Sequence, residues 1–116
     1  MARQDKVSLA RRAERAGRVE EAERLYREAI QDGDSYGYNN LAQLLIETGR
    51  MREVERLFRK GIKAGDALAA KNLALFLLEE GREVAAKEVI GIARRMGRPA
   101  TEQELTDARL YHERSL

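Results

Sequence analysis

The chain contains no cysteine among its 116 residues, which excludes disulfide bonds and metal sites built on thiolates. Proline occurs once, and aromatic residues make up only 5% of the chain. Charged residues account for 36%, and no long polar tract interrupts the sequence. This balance is typical of a soluble, helix-rich protein and not of a disordered chain.

Long apolar runs are absent as well. The longest apolar stretch, from Ala67 to Leu78, is interrupted by Lys71 and Asn72 and falls well short of the ~20 residues that cross a bilayer. The beginning of the chain, MARQDKVSLARR, contains no apolar segment that resembles a secretory signal. We therefore expect a cytoplasmic protein that does not bind a membrane.

The charge balance gives little indication of a nucleic-acid partner. Twenty-two basic and 20 acidic residues leave a net charge of +2. The arginines are interspersed with acidic residues, and no series of aromatic side chains for base stacking accompanies them. The sequence thus argues against nucleic acid as a partner and leaves an RNA-binding helical repeat as a weaker alternative.

Residues that could support catalysis are also scarce. His112 is the only histidine, and no candidate nucleophile accompanies it in the sequence. The carboxylate pairs Glu20 with Glu21 and Glu79 with Glu80 occupy adjacent positions, which point apart on a helix. We therefore expect that the protein is not an enzyme and that it holds neither a metal ion nor a cofactor.

What the sequence does contain is a pattern that recurs with a period of about 32 residues, within the range typical of stacked helical repeats. Each copy predicts a helix, a turn at a glycine, a second helix and another turn at a glycine. The positions that coincide include Gly17, Gly49 and Gly81; Gly33, Gly65 and Gly97; Arg18, Arg50 and Arg82; Leu9, Leu41 and Leu73; and Leu25, Leu57 and Val89. Hairpins of this kind bury their apolar faces by stacking on one another.

The predicted fold class is therefore all-α, with three stacked helix-turn-helix repeats in a single domain that spans residues 1–116. The repeats cover residues of about 3–34, 35–66 and 67–98. Within them we predict helices at residues 3–16, 19–31, 35–48, 51–64, 67–80 and 84–96. Asp34 and Asp66 each follow a glycine and are predicted to accept hydrogen bonds from the first N–H groups of the next helix.

The repeat pattern ends at Pro99, which cannot continue a helix. Thr101 and Glu104 have the spacing of a capping box and predict a seventh helix over residues of about 101–114. This helix has no counterpart in the repeats. We therefore predict that it caps the end of the array.

The surface that this capping helix should cover is suggested by the last repeat. Val84 and Ile92 stand where the earlier repeats carry charged residues, and Gly91 replaces arginine. A glycine permits close approach of another backbone. We expect the stripe of Leu105, Ala108 and His112 on the seventh helix to pack there.

The repeated residues resemble the tetratricopeptide repeat over residues 3–98. The resemblance is carried by the leading Leu-Ala pairs, the Gly-Arg turn, and then Ala22 or Val54, Tyr26 or Phe58, and Ala29 or Gly61. The repeat is slightly shorter than that family's repeat of roughly 34 residues, and the runs GDSYGYNNLA and GDALAAKNLA are similar to the turns of Sel-one-like repeats. Both families imply a right-handed α-solenoid that acts as a non-catalytic protein-binding scaffold.

The binding surface implied by this architecture is a concave groove lined by the leading helices. Asn40 and Asn72 share one repeat position, and an amide provides both a donor and an acceptor for the backbone of an extended ligand. An alternative role for the two asparagines is to brace a neighbouring turn. The predicted groove residues are Val7, Arg11 and Arg15; Tyr36, Asn39, Asn40, Gln43 and Glu47; and Leu68, Lys71, Asn72, Leu75 and Glu79.

We expect the groove to bind a peptide or a protein segment, and the chain to be mainly a monomer. Two alternatives stay open. The chain could self-associate through the third repeat and the C-terminal helix, or it could be an engineered repeat scaffold.

Overall fold

A computed structural model describes residues 5–116 of the chain, and the described residues form α-helices and no strand. The all-α prediction is confirmed. The helices are α1 (Lys6–Arg15), α2 (Val19–Gln31), α3 (Tyr36–Glu47), α4 (Val54–Lys63), α5 (Ala67–Glu79), α6 (Glu83–Arg95) and α7 (Glu102–Arg114), and a 3-10 turn (Met51–Glu53) precedes α4. None of these helices has the length and apolar character needed to cross a membrane.

Polar side chains fix where several helices begin. The carboxylates of Asp34 and Asp66 accept hydrogen bonds of 3.0 Å from the backbone N–H groups of Tyr36 and Leu68, as predicted. Asp5 caps α1 in the same way. The prediction that the first helix begins at residue 3 falls partly on residues 3 and 4, which lie outside the described residues.

The ends of the helices are equally regular. Six glycines have positive φ angles between 76° and 93° at residues 17, 33, 49, 65, 81 and 97. At five of them, the N–H group that follows the glycine bonds to a carbonyl of the last helical turn, as Arg50 N does to Leu45 O at 2.7 Å. This arrangement satisfies carbonyl groups that the helix itself leaves unpaired.

The first compact unit ends at Gly65 and contains α1 to α4. In this unit α1 packs on α2, α2 on α3, and α3 on α4, while α1 also touches α3. Ala10, Ala22 and Ala42 are fully buried, as are the larger side chains of Tyr26 and Phe58. Small residues at these points allow the helix axes to approach closely.

The second compact unit, Asp66–Leu116, contains α5, α6 and α7. Helix α5 packs against both of the others. Most of its side chains are buried, including those of Leu73, Leu77 and Leu78. The helix predicted at residues 67–80 is thereby found, as a largely buried helix over Ala67–Glu79, whereas the prediction of a single domain for the whole chain stays a prediction.

Helix α7 begins with the predicted capping box. The backbone N–H of Glu104 donates to Thr101 Oγ at 3.1 Å, and the backbone N–H of Thr101 donates to Glu104 Oε1 at 2.9 Å. Leu105 and Ala108 are buried and His112 is half-buried. The predicted apolar stripe of α7 is therefore correct.

The predicted packing partner of that stripe is wrong. Helix α7 packs on α5, and Val84 on α6 remains 89% exposed. A Cβ atom at Gly91 would come near only the Arg95 guanidinium, so no helix backbone approaches this glycine. Specific polar contacts, described below, hold α7 on α5, while Arg109 reaches the first residue of α6 through a 2.8 Å hydrogen bond to Glu83.

Candidate functional site

An open groove of about 410 Å³ lies between α1 and α3 in the first unit. Five of the residues that line it were predicted as groove residues from the sequence: Arg11, Arg15, Asn40, Gln43 and Glu47. Glu14 and Tyr26 complete the lining. The structure thus brings these five residues together around one groove, and their role in binding stays a prediction.

The base of the groove is a hydrogen-bonded pair. Tyr26 is fully buried, and its hydroxyl group donates to Glu14 Oε1 at 2.5 Å. Burial, followed by the hydrogen bond to the Glu14 carboxylate, raises the pKa of Tyr26 above its ordinary value. The phenol therefore stays protonated near neutral pH and acts as a fixed donor that orients Glu14.

The sequence analysis did not predict this pair, because it considered Tyr26 only as part of the resemblance to the tetratricopeptide repeat. A signal was present in the alignment of the repeats. Positions equivalent to Glu14 are Ile46 and Leu78, and positions equivalent to Tyr26 are Phe58 and Ile90. The acid and the hydroxyl group therefore occur together in the first copy and are both replaced by apolar residues in the other two.

The two arginines of the groove are available to a ligand. Arg11 and Arg15 are exposed on consecutive turns of α1, and neither forms an ion pair with any residue in the described part of the chain. Glu47 is exposed at the end of α3, across the groove. The groove therefore has a positive edge on α1 and a negative group on α3.

Two amide side chains, those of Asn40 and Gln43, also line the groove on α3. The Asn40 side-chain nitrogen donates to the carbonyl oxygen of Tyr36 at 2.8 Å, which supports the bracing role for this nitrogen. The Asn40 amide oxygen has no partner among residues 5–116. Gln43 is half-buried one turn later on the same helix, and its amide can donate and accept.

Three other predicted residues of the first unit do not line this groove. Val7 and Asn39 are only 6% and 5% exposed. Each lies one helical turn from a buried alanine, Ala10 or Ala42, so the helical repeat turns both toward the interior. Tyr36 is 64% exposed at the start of α3 and lies outside the lining.

The remaining predicted residues, Leu68, Lys71, Asn72 and Leu75, are half-buried on α5 in the second unit. Lys71 is held by α7, since its Nζ lies 2.8 Å from Glu104 Oε2. The hydrogen bond from Lys71, assisted by the Thr101 N–H, lowers the pKa of Glu104. The prediction that these α5 residues share one groove with the residues of α3 stays a prediction.

Two further contacts place α7 on α5. His112 Nδ1 lies 3.2 Å from the carbonyl oxygen of Glu79, and the imidazole ring packs against Gly81. Burial raises the pKa of the Glu79 carboxyl group. Glu79 was also predicted as a groove residue, but nothing in the sequence pattern indicated that α7 would contact this end of α5.

The groove of the first unit combines guanidinium, carboxylate, amide and phenol groups. These groups offer several hydrogen-bond donors and acceptors around one groove, which suits recognition of a polar chain. Among residues 5–116, no three histidine, aspartate or glutamate side chains are grouped closely enough to hold a metal ion.

No model of a known protein family matches the chain, and no curated protein matches it significantly. The resemblance to tetratricopeptide repeats therefore depends on the sequence residues given above and stays a prediction.

Proposed function

We propose that the protein is a non-catalytic, cytoplasmic module that binds an extended peptide or protein segment in the groove between α1 and α3. The observation that carries this proposal is that unpaired Arg11 and Arg15 face the amides of Asn40 and Gln43 around one open groove. A polypeptide backbone presents alternating carbonyl and N–H groups. The arginine side chains can donate hydrogen bonds to the carbonyl groups. The amide side chains can donate to the carbonyl groups and accept from the N–H groups.

The expected affinity depends on the hydrogen bonds that the groove can form with a ligand. A hydrogen bond contributes about 0.5–1.5 kcal/mol net, or roughly 1.5–3 kcal/mol when one partner is charged. Ordering an extended ligand and exposed arginine side chains offsets part of this gain. A few such bonds therefore support an affinity in the range of about 1 µM or weaker, which is typical of a transient complex.

We propose further that the chain is a right-handed, tetratricopeptide-like α-solenoid with a period of about 32 residues, and that it is mainly a monomer. The helix-terminating glycines at regular intervals of the sequence support the period. The fully buried alanines Ala42 and Ala74, which hold the same repeat position, support the similarity of the hairpins. Small-angle X-ray scattering combined with light scattering tests the overall shape and the monomeric state.

The binding proposal is tested by selecting peptides from a displayed random library on the wild-type chain. Binding of the selected peptides is then measured by fluorescence anisotropy with two double variants. The groove variant carries Arg15→Ala and Gln43→Ala. The matched control carries Arg12→Ala and Gln31→Ala, which also removes one guanidinium group and one amide, but from exposed positions outside the groove.

We expect the groove variant to bind the selected peptides at least about tenfold more weakly, which corresponds to ~1.4 kcal/mol. The control variant should bind as the wild type does, and both should keep the circular dichroism spectrum of the wild type. The proposal is disproved if none of the selected peptides binds the groove variant more weakly than it binds the wild type. Failure of the library to yield any binding peptide would count against it as well.

A further inference from the structure

The outer sides of α2 and α4 provide two surfaces of the same shape. Each is a shallow depression of about 500 Å³ or 490 Å³ lined by six residues at equivalent positions of successive repeats. On α2 the residues are Glu20, Glu23, Arg24, Arg27, Glu28 and Gln31. On α4 and the turn before it, they are Arg52, Glu55, Arg56, Arg59, Lys60 and Lys63, and we call this surface the α4 face.

The two surfaces differ in charge. The surface on α2 carries two cations and three carboxylates, a net charge of −1. The α4 face carries five cations and one carboxylate, a net charge of +4. Only three positions account for the difference, because Glu20, Glu28 and Gln31 are replaced by arginine or lysine.

The charges on α2 are paired with one another. Arg24 Nη1 lies 2.8 Å from Glu28 Oε2, and Arg27 Nη2 lies 3.0 Å from Glu23 Oε2. On the α4 face only Arg59 has such a partner, Glu55, at 3.0 Å. Arg52, Lys60 and Lys63 form no ion pair with any residue in the range 5–116.

One further carboxylate, that of Glu53 just before α4, forms ion pairs with Arg27 of α2 and with Arg56 of the α4 face. Arg27 Nη2 lies 2.9 Å from Glu53 Oε1, whereas Arg56 lies 3.4 Å from Glu53 Oε2. The hydrogen bond from Arg27 is also the main reason why the pKa of Glu53 is lowered. The cations of the α4 face that have no ion-pair partner among residues 5–116 are therefore Arg52, Lys60 and Lys63.

We infer that the α4 face is a second interaction surface, which binds an acidic segment of a partner protein. From Arg52 to Lys63 the cations follow one side of the helix over a length of ~16 Å. An acidic segment of about two to three helical turns, or a shorter extended one, can place several carboxylates along this length. Guanidinium groups bind such carboxylates through two parallel hydrogen bonds.

Two other anionic partners fit less well. No aromatic residue lines the face, although stacking on aromatic rings is the usual support for single-stranded nucleic acid. Glu55 in the middle of the face would repel a continuous row of phosphates, whereas an acidic peptide can place a neutral residue opposite it. The apolar side of α4, with Val54, Leu57 and Phe58, is buried. These side chains are therefore not available to insert into a membrane.

The test exchanges the three differing residues. The first variant carries Arg52→Glu, Lys60→Glu and Lys63→Gln, so that the α4 face has the residues of α2. The reciprocal variant carries Glu20→Arg, Glu28→Lys and Gln31→Lys, so that α2 gains the residues of the α4 face. The probes are a fluorescein-labelled oligoglutamate peptide and a labelled single-stranded DNA oligonucleotide, titrated at about 50 mM and about 200 mM salt.

We expect the wild type to bind oligoglutamate at the lower salt concentration and to bind it more weakly at the higher one. The first variant should lose at least about tenfold in affinity, and the reciprocal variant should bind at least about threefold more tightly than the wild type. Circular dichroism confirms that both variants are folded. If the first variant loses its helical spectrum, the reciprocal variant provides the test.

Three results would overturn the inference. The first is that wild-type protein does not bind oligoglutamate at about 50 mM salt. The second is that the exchanged residues leave the affinity unchanged. The third is DNA binding at least as tight as oligoglutamate binding, lost in the first variant, which would assign the face to phosphate groups. Because the groove variant Arg15→Ala with Gln43→Ala leaves this face intact, none of these results depends on the proposed function of the groove.

Discussion

Helices α1, α2 and α3 follow one another in the same order as α5, α6 and α7, which come two repeats later in the chain, but the third helix packs differently in the two sets. In the first set, α3 packs mainly on α2 and touches α1 at few points, which leaves the groove open. In the second set, α7 packs on α5. The same order of helices thus yields an open polar groove in one unit and a closed helix contact in the other.

The difference follows from the residues on the facing sides. Arg11 on α1 corresponds to Leu75 on α5, and covering an unpaired guanidinium group with apolar side chains is costly. A leucine at this point has no such cost. Helix α7 supplies a buried leucine and alanine, Leu105 and Ala108, whereas α3 presents amides to the groove. In the second unit, a helix of the same chain therefore covers the side of α5 that is equivalent in position to the exposed groove side of α1.

The largest effect in this comparison is expected at the glycines that end α1 and α5. Gly17 and Gly81 have nearly the same φ, 78° and 77°. A Cβ atom at residue 81 would clash with the His112 imidazole ring, whereas at residue 17 it would meet no atom within 4 Å. We expect Gly17→Ala to lower the free energy of unfolding by ~1–2 kcal/mol through backbone strain. Gly81→Ala should lower it by ~1–3 kcal/mol more through overpacking, as measured by urea denaturation.

The matched control for this prediction removes the ring that causes the clash. Adding His112→Ala to Gly81→Ala should recover most of the additional loss and leave the backbone strain. Equal losses of stability for Gly17→Ala and Gly81→Ala would show that α7 can move away from α5 without cost, and the contrast between the two units would then be wrong.

A smaller effect is expected from the ion pair between α7 and α5. The pKa of Glu104 is lowered in the folded chain, so its contribution to stability is present above the unfolded pKa of about 4.3 and is lost as the pH falls through the folded pKa. Both partners are partly exposed, with side-chain exposures of 20% for Lys71 and 33% for Glu104. We therefore expect Glu104→Gln to cost only ~0.2–1 kcal/mol at pH 7, with a smaller difference from wild type below about pH 4.

Glu102→Gln is the control for this experiment, because it removes a carboxylate from the same first turn of α7. Its effect reports the interaction with the helix dipole. Thermal unfolding of both variants across this pH range isolates the pair with Lys71. If both variants show the same dependence on pH, Lys71 contributes nothing to the position of α7.

The sequence predicted the parts of the fold that depend on local signals. Asp34 at the start of α3 and Thr101 at the start of α7 act through residues within three positions, so their effect can be read from spacing alone. The packing of α7 depends instead on Lys71 and Gly81, which are distant in the sequence. An apolar stripe indicates that a helix is covered, but it does not indicate by which neighbour.

For the candidate site, the sequence pattern indicated which residues share one side of a helix. Arg11, Asn40 and Gln43 were identified because a helix has a regular period, which assigns residues to one side. Asn39 was predicted to line the groove as well, but it points into the interior while the adjacent Asn40 lines the groove. The two directions differ because adjacent residues are separated by about 100° around the helix axis. The pair of Tyr26 and Glu14 was missed because it joins two helices, and only a comparison between the repeats could have indicated it.

The smallest effect is expected at Val84, on the side of α6 that α7 leaves uncovered. Val84 occupies the position of Glu20 on α2 and is 89% exposed, so replacing it removes almost no buried area. The variant Val84→Glu should change the free energy of unfolding by less than ~0.5 kcal/mol, with a slight gain from the new carboxylate near the start of α6.

Ala86→Glu is the contrasting variant, because Ala86 lies two residues away but is fully buried, and an unpaired charge there should strongly destabilise or unfold the chain. A loss of more than about 1 kcal/mol for Val84→Glu would instead restore the sequence-based prediction that α7 covers this side of α6.

Light scattering of the same variant addresses self-association. If the exposed valine joined two copies of the chain, the wild type would be a dimer and Val84→Glu would be a monomer, because a buried carboxylate in a symmetric contact would face its own copy. We expect both to be monomers, since a single exposed valine offers too little apolar area to hold two chains together.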